Sequence, residues 1–232
     1  MISDWPWWEA RILSFVRDSA QSADAAHDLE HIRRVVRNAR AIAAAEGGML
    51  EVVVPAAWLH DCVALPKDSG KRALASRLAA KKATAFLRKM GYPAEYLAGI
   101  AHAIEAHSFS ANIPPETLEA RIVQDADRLD AIGAIGIARC LMLGGALGKS
   151  LYNVEEPLPL VRAPDESQYV VDHFYEKLLH LEKTMTTETG RQEAARRTTF
   201  MREYLAHLDQ EVTVYWHGSP ESPSGPLFLP SP

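Results

Sequence analysis

The chain has 232 residues, of which 47% are hydrophobic and 24% charged, with a net charge of −5. That balance supports a compact core and excludes the disordered and collagen-like classes, and its mild acidity gives no basis for nonspecific nucleic-acid binding. Two cysteines, Cys62 and Cys140, without C-x-x-C spacing exclude a disulfide framework and fit a reducing cytoplasm.

The opening MISDWPWWEARIL lacks a basic stretch ahead of a clean apolar run, so it does not read as a secretory signal. Residues 1–25 are expected to form a helix that docks Trp5, Trp7 and Trp8 onto the rest. From there apolar residues recur at steps of three and four, while two-residue alternation is nearly absent, so the expected class is all-α. Ile32, Val35, Val36, Ala39, Ile42 and Ala43 form one stripe on a helix from about Glu30 to Glu46, stopped by Gly47 and Gly48. The next runs from about Glu51 to Cys62. Its Pro55 is read as a first-turn proline, where no intrahelical amide is lost, and the pair His60-Asp61 sits at its end. A third spans about Lys71 to Met90 and stops at Gly91-Tyr92-Pro93. Further helices are expected near 94–107, 116–131, 133–143, 166–185 and 188–210. The tract Ala131–Gly148 carries Arg139 and five glycines, which argues against a membrane span. Leu151–Gln168 is either a lid or a connector, and 213–232 reads as a flexible Pro/Ser-rich tail.

Histidine and aspartate cluster along these helices: His27-Asp28-x-x-His31, His60-Asp61, His102 and His107, then Asp125-x-Asp127-Arg128-x-Asp130. An adjacent His-Asp pair diverges by about 100° around a helix, so it can grip a cation from two directions while other helices complete the set. An aspartate beside the apolar run Ala56-Ala-Trp-Leu is costly unless a cation pairs with it. Imidazoles with carboxylates suit one divalent ion of the Mn, Fe, Co, Ni or Zn type, with Mg possible. Eight basic residues and one acid lie between Pro66 and Met90. Lys67, close after the His-Asp pair, is a candidate to bring positive charge to an anion there.

The arrangement His31-x-x-Arg-Val35, Leu59-His60-Asp61 and Asp125-Ala-Asp127-Arg-Leu129 resembles the H…HD…D pattern of the HD-domain metal-dependent phosphohydrolase superfamily. The strings His60-Asp-Cys-Val-Ala-Leu-Pro-Lys67, His102-Ala-Ile-Glu-Ala-His107 and Val123 to Ile137 are similar to its YedJ-like branch. The resemblance implies a single helical bundle of the HD type, with a core over 26–145, an N-terminal helix over 1–25 and a C-terminal helical extension over 146–212. It implies that His31, rather than His27, together with His60, Asp61 and Asp127, are the metal ligands. It also implies hydrolysis of a phosphoester or phosphoanhydride bond, in a nucleotide or similar small phosphorylated metabolite, by metal-activated water.

In that reading Asp61 and His107 are the catalytic candidates for moving protons, and Lys67, His102 and Arg128 the candidates for holding phosphate. His102 and His107 lie about 140° apart on a helix, so one of them faces the metal, and His107 at the helix end is favoured. Ala64 and Leu65 stand where alarmone-degrading relatives have a Glu-Asp pair, which disfavours that activity. Gly91-Tyr92-Pro93 falls at a helix end, outside the context of the cyclic-dinucleotide hydrolase signature. A zinc-protease reading of His27-Asp-x-x-His31 leaves His60-Asp61 unexplained. HD-fold proteins with two metals that oxidise are a further class, separable by metal count. The rival of another kind is a non-catalytic module that senses a nucleotide or metal. No membrane and no nucleic-acid partner is expected, and the sequence does not give the oligomeric state.

Overall fold

Helix α3 (Leu50–Leu59) is apolar all round, every residue from Val52 to Leu59 is buried, and the rest of the fold is arranged about it. The computed structural model describes residues 4–20, 29–63, 65 and 72–213. Among these the chain is all-α, with nine α-helices and no β-strand. Around α3 pack α1 (Trp5–Ala20), α2 (Leu29–Glu46), α5 (Ala94–His107) and α6 (Leu118–Asp130), while α4 (Ala75–Lys89) covers the outside of α5. After α7 (Gly133–Ala146) and the short α8 (Asp172–Glu176), the long α9 (Glu188–Thr213) returns across α7, α6 and α2.

The stripe expected on α2 is the buried face: Ile32, Val35, Val36, Ala39, Ile42 and Ala43 all lie in the core, and His31 shares that face. Gly47 and Gly91 take positive φ where α2 and α4 stop, as the glycine signals predict. Helix α5 spans Ala94–His107, the boundaries expected from the sequence. In α1, Ile12 and Val16 are buried and Trp8 meets the Tyr92 ring edge-on at 4.8 Å, whereas Trp7 stays 39% exposed under the Arg11 guanidinium.

Two expectations are corrected. Pro55 is not in the first turn of its helix but in the sixth position of α3. Its missing amide would leave the Glu51 carbonyl without a partner, and the Tyr92 hydroxyl donates to that carbonyl at 2.6 Å. The single helix expected over 166–185 is instead α8 followed by a 3₁₀ segment, Leu178–Thr184, with the break at Lys177 (φ −136, ψ −56). Residues 166–171 are drawn away from helical geometry by local bonds. Asp165 accepts from the Ser167 amide and hydroxyl and the Gln168 side chain, and the chain at Tyr169 forms a parallel bridge to Ser150.

The stretch 151–168, read from the sequence as a lid or a connector, is pinned by local bonds. The Glu156 carboxylate accepts from the amides of Leu160, Val161 and Arg162, and the Arg162 guanidinium grips the buried Asp172 with both nitrogens at 2.5 and 2.7 Å.

Candidate metal centre

Three helices deliver the centre. His31 lies in the first turn of α2, His60 and Asp61 at the C-terminal end of α3, and Asp127 in the last turn of α6. Because α2 and α6 both pack on α3, residues nearly a hundred positions apart meet: His31 Nε2 is 3.4 Å from Asp127 Oδ1 and 4.0 Å from Asp61 Oδ2. His60 Nε2 is 3.5 Å from Asp61 Oδ2 and 3.7 Å from Asp127 Oδ1. Donors about 2.1 Å from a shared tetrahedral cation sit about 3.4 Å from one another, so these separations suit a common ion.

The imidazoles are set to present lone pairs. His60 Nδ1 lies 2.8 Å from the Ala57 carbonyl, His107 Nδ1 2.6 Å from the Ile104 carbonyl, and His31 Nδ1 2.7 Å from Asp130 Oδ2. A carbonyl or carboxylate oxygen only accepts, so each Nδ1 carries a proton, which leaves the Nε2 of His31 and of His60 facing the centre as an acceptor, while the Nε2 of His107 is directed at the Asp61 carboxylate. His60 Nε2 is fully buried and has no hydrogen-bond partner among the described residues. An orphaned buried acceptor in a ring of carboxylates is costly unless a cation completes it. Burial is the main cause holding the His60 imidazole below its usual pKa, ahead of the opposing pull of Asp61, and a neutral imidazole is the form that ligates.

Exposure gives the centre a direction. The side chains of His31, His60 and His107 are 6%, 0% and 7% exposed, against 21% for Asp61 and 28% for Asp127. The histidines therefore form the floor of the cluster and the carboxylates its solvent-facing rim.

His107, the last residue of α5, reaches the same cluster, with its Nε2 3.5 Å from Asp61 Oδ1 and its ring 4.9 Å from that of His60. Two overlapping groups that could hold a metal ion result, His31–His60–Asp127 and His60–Asp61–His107, with His60 in both. Burial opposes a charge on His107, but its approach to Asp61 and the field of Asp61 and Asp127 outweigh this and raise its pKa.

Other expected site residues are not brought together. His102 is turned away along α5, where its Nε2 accepts from the Glu116 amide at 3.0 Å. The Arg128 guanidinium is half-buried and donates to the Thr184 carbonyl at 2.5 Å. Lys67 and His27 lie outside the described residues. Asp125 accepts from the backbone amides and hydroxyls of Thr186 and Thr187, tying α6 to the start of α9.

Asp130 is the participant that sequence reasoning passed over. Its Oδ2 orients His31, and its two oxygens also take Arg34 Nε at 2.6 Å and Arg139 Nη1 at 2.6 Å. The available signal was its position three residues after Asp127, one turn along the face that meets α2.

The HD domain family model matches residues 28–132, the stretch that carries all four expected ligands. Over 208 residues the chain is 34% identical to the uncharacterized protein YpgQ of Bacillus subtilis, covering 87% of this chain and 92% of that one. The chain belongs to the HD-domain family. Membership makes it, at the level of the superfamily, a metal-dependent phosphohydrolase, and HD domains bind divalent metals. The HD fold is seen directly in a hydrolase of the superfamily from Bacillus thuringiensis, 32% identical with a TM-score of 0.70, covering 89% of this chain and 97% of the other. A structure of B. subtilis YpgQ in complex with ADP superposes with a TM-score of 0.68 at 34% identity, covering 88% and 98%. Among the described residues no single helix is long and apolar enough to cross a membrane.

Proposed function

We propose that this HD core hydrolyses a phosphoester or phosphoanhydride bond of a nucleotide or similar small phosphorylated metabolite. In this reading His31, His60, Asp61 and Asp127 hold one divalent transition metal of the Mn, Fe, Co, Ni or Zn type, with Mg an alternative. The observation that carries the proposal is the orphaned, fully buried Nε2 of His60, aimed into a ring of two carboxylates and two further imidazole nitrogens. A nucleotide is favoured because a relative 34% identical to this chain has been crystallised with ADP.

A divalent cation held by His31, His60, Asp61 and Asp127 would supply Lewis acidity toward water and a phosphoryl oxygen. The protein's own groups do the rest. The buried imidazoles fix the ion's position through partners on their far nitrogens, and Asp61 and Asp127, at the rim, lie where a water proton can be accepted. The approach of Asp61 raises the His107 pKa, and its Nε2 faces that carboxylate, so it is placed to protonate the departing oxygen. Arg128 and His102 are bonded to Thr184 and Glu116 and are given no part in this reading, and Lys67 retains its proposed role in holding phosphate.

The test is a turnover panel with added Mn²⁺ or Co²⁺: p-nitrophenyl and bis-p-nitrophenyl phosphate, then nucleoside mono-, di- and triphosphates, reading phosphate against pyrophosphate. Activity lost with chelator and in Asp61→Ala supports the hydrolase. Binding without product across the panel supports the sensing module instead.

A further inference from the structure

Arg34 and Asp130 follow His31 and Asp127 by three residues, about 4.5 Å along α2 and α6. They line a cleft of about 410 Å³ that none of His31, His60, Asp61 or Asp127 lines. Arg37 on α2, Arg196 and Arg197 on α9, and the first turn of α7 complete it.

Four guanidinium groups thus surround one lining carboxylate, Asp130. Two of them are held in place. Arg34 is tied to Asp130, and Arg197 donates to Glu193 at 2.7 Å and to the Leu129 carbonyl at 2.6 Å. The Arg197 stem lies where a Cβ on Gly133 would come within 3.0–3.2 Å of it, and Gly133 has φ +75, so glycine at that position keeps the guanidinium and the helix start together. Arg196 is exposed and, among the described residues, paired only with Glu193, an i,i+3 surface pair of small energetic worth. Arg37 makes no hydrogen bond or ion pair with any described residue.

The α7 start adds to the same sign of charge. No N-cap side chain accepts from its first turn and no acidic residue stands in it; the Gly133 amide donates to Met201 Sδ at 3.1 Å, a weak thioether acceptor that adds no negative charge, so the amide end keeps its positive potential beside the cleft. Beside the arginines, Phe200 and Ile135 present apolar surface, 47% and 40% exposed. Asp130 and Glu193 pair with three of the four arginines, which leaves the cleft net positive, and bidentate guanidinium geometry matches phosphate oxygens.

We propose that this cleft is a second anion site, separate from the hydrolytic centre, whose occupant is a polyphosphate chain. The apolar lip at Phe200 and Ile135 fits a base attached to that chain, so a nucleoside polyphosphate is the favoured source over free pyrophosphate.

Isothermal titration of the full-length protein tests this with three probes, inorganic pyrophosphate, ADP and adenosine. Two backgrounds take the hydrolytic centre out of play: wild type in excess chelator, and His60→Ala. The expected result is saturable binding of pyrophosphate and ADP, but not adenosine, in both. The double substitution Arg37→Ala with Arg196→Ala weakens it at least tenfold while leaving the melting temperature and the turnover of the metal-loaded protein unchanged. Charge reversal at the exposed position, Arg37→Glu, weakens it further. ADP binding tighter than pyrophosphate by a margin that Phe200→Ala removes identifies the nucleotide as the source, and equal affinities identify the free polyphosphate. Binding unaffected by the arginine substitutions, or abolished in both the chelator and His60→Ala backgrounds, overturns the proposal. No turnover enters the titration, so its outcome is separate from that of the hydrolytic reading.

Discussion

The Oδ2 of Asp130 receives the Nδ1 proton of His31 at 2.7 Å, with both side chains buried. This makes Asp130 a positioning residue: it sets the tautomer and raises the basicity of the one expected ligand supplied by α2. Asp130→Asn keeps an acceptor of the same shape but removes the charge. It is expected to weaken metal affinity by about 10- to 100-fold, read by competition with a chromophoric chelator, while circular dichroism stays that of wild type.

Acid stability follows from the same carboxylate. Burial alone would raise the Asp130 pKa, but hydrogen bonds from His31 and Arg34 outweigh it and bring it down from 3.8 to about 2. A group with a depressed folded-state pKa stabilises the fold above its unfolded value, and that contribution is lost as pH falls through the folded one. The stability gap between wild type and Asp130→Asn is therefore expected to be constant above pH 4 and to shrink between about pH 4 and 2. Urea melts of metal-free protein across that range check it, and a gap that widens on acidification contradicts the assignment.

The two histidines of α5 separate in the same way. His107 faces Asp61 and His102 faces the Glu116 amide. His107→Gln is expected to lower kcat by about 10²-fold or more, the usual scale for a lost proton-transfer group. His102→Ala should leave kcat within about twofold and cost about 1 kcal/mol of stability. Steady-state kinetics alongside thermal melts distinguish the pair.

Asp125, two residues before a metal-ligand candidate, anchors α9 by accepting from Thr186 and Thr187. Gly190 leaves space for it, since a Cβ there would sit 2.5 Å from Asp125 Oδ2. Asp125→Ala strands the amides and hydroxyls of Thr186 and Thr187 and should destabilise by about 3 kcal/mol. The metal content of the fraction that remains folded should be unchanged, measured by denaturant titration and elemental analysis.

Much of this was legible in the chain. The α2 stripe, the glycine stops and the limits of α5 follow from local periodicity and capping, which act within a few residues. The convergence of His31, His60, Asp61 and Asp127 was legible only through their resemblance to a known pattern, because the contacts join residues up to about a hundred positions apart. What local reading missed was set by distant partners. The Ser150–Tyr169 bridge and the Asp165 bonds break the helix expected over 166–185, Tyr92 satisfies the carbonyl that Pro55 leaves open, and Arg34 and Arg139 fix which oxygens Asp130 has to give. Arg128 looked free to bind phosphate because nothing in its neighbourhood in sequence announces Thr184 as its acceptor.

The most direct test of the metal centre is elemental analysis of the purified protein, wild type against His60→Ala, paired with phosphatase turnover in Mn²⁺. About one divalent ion per chain in wild type, with the ion and the turnover both lost in His60→Ala, is the expected result. A His60→Ala protein that folds, keeps its metal and turns over substrate at the wild-type rate would contradict it.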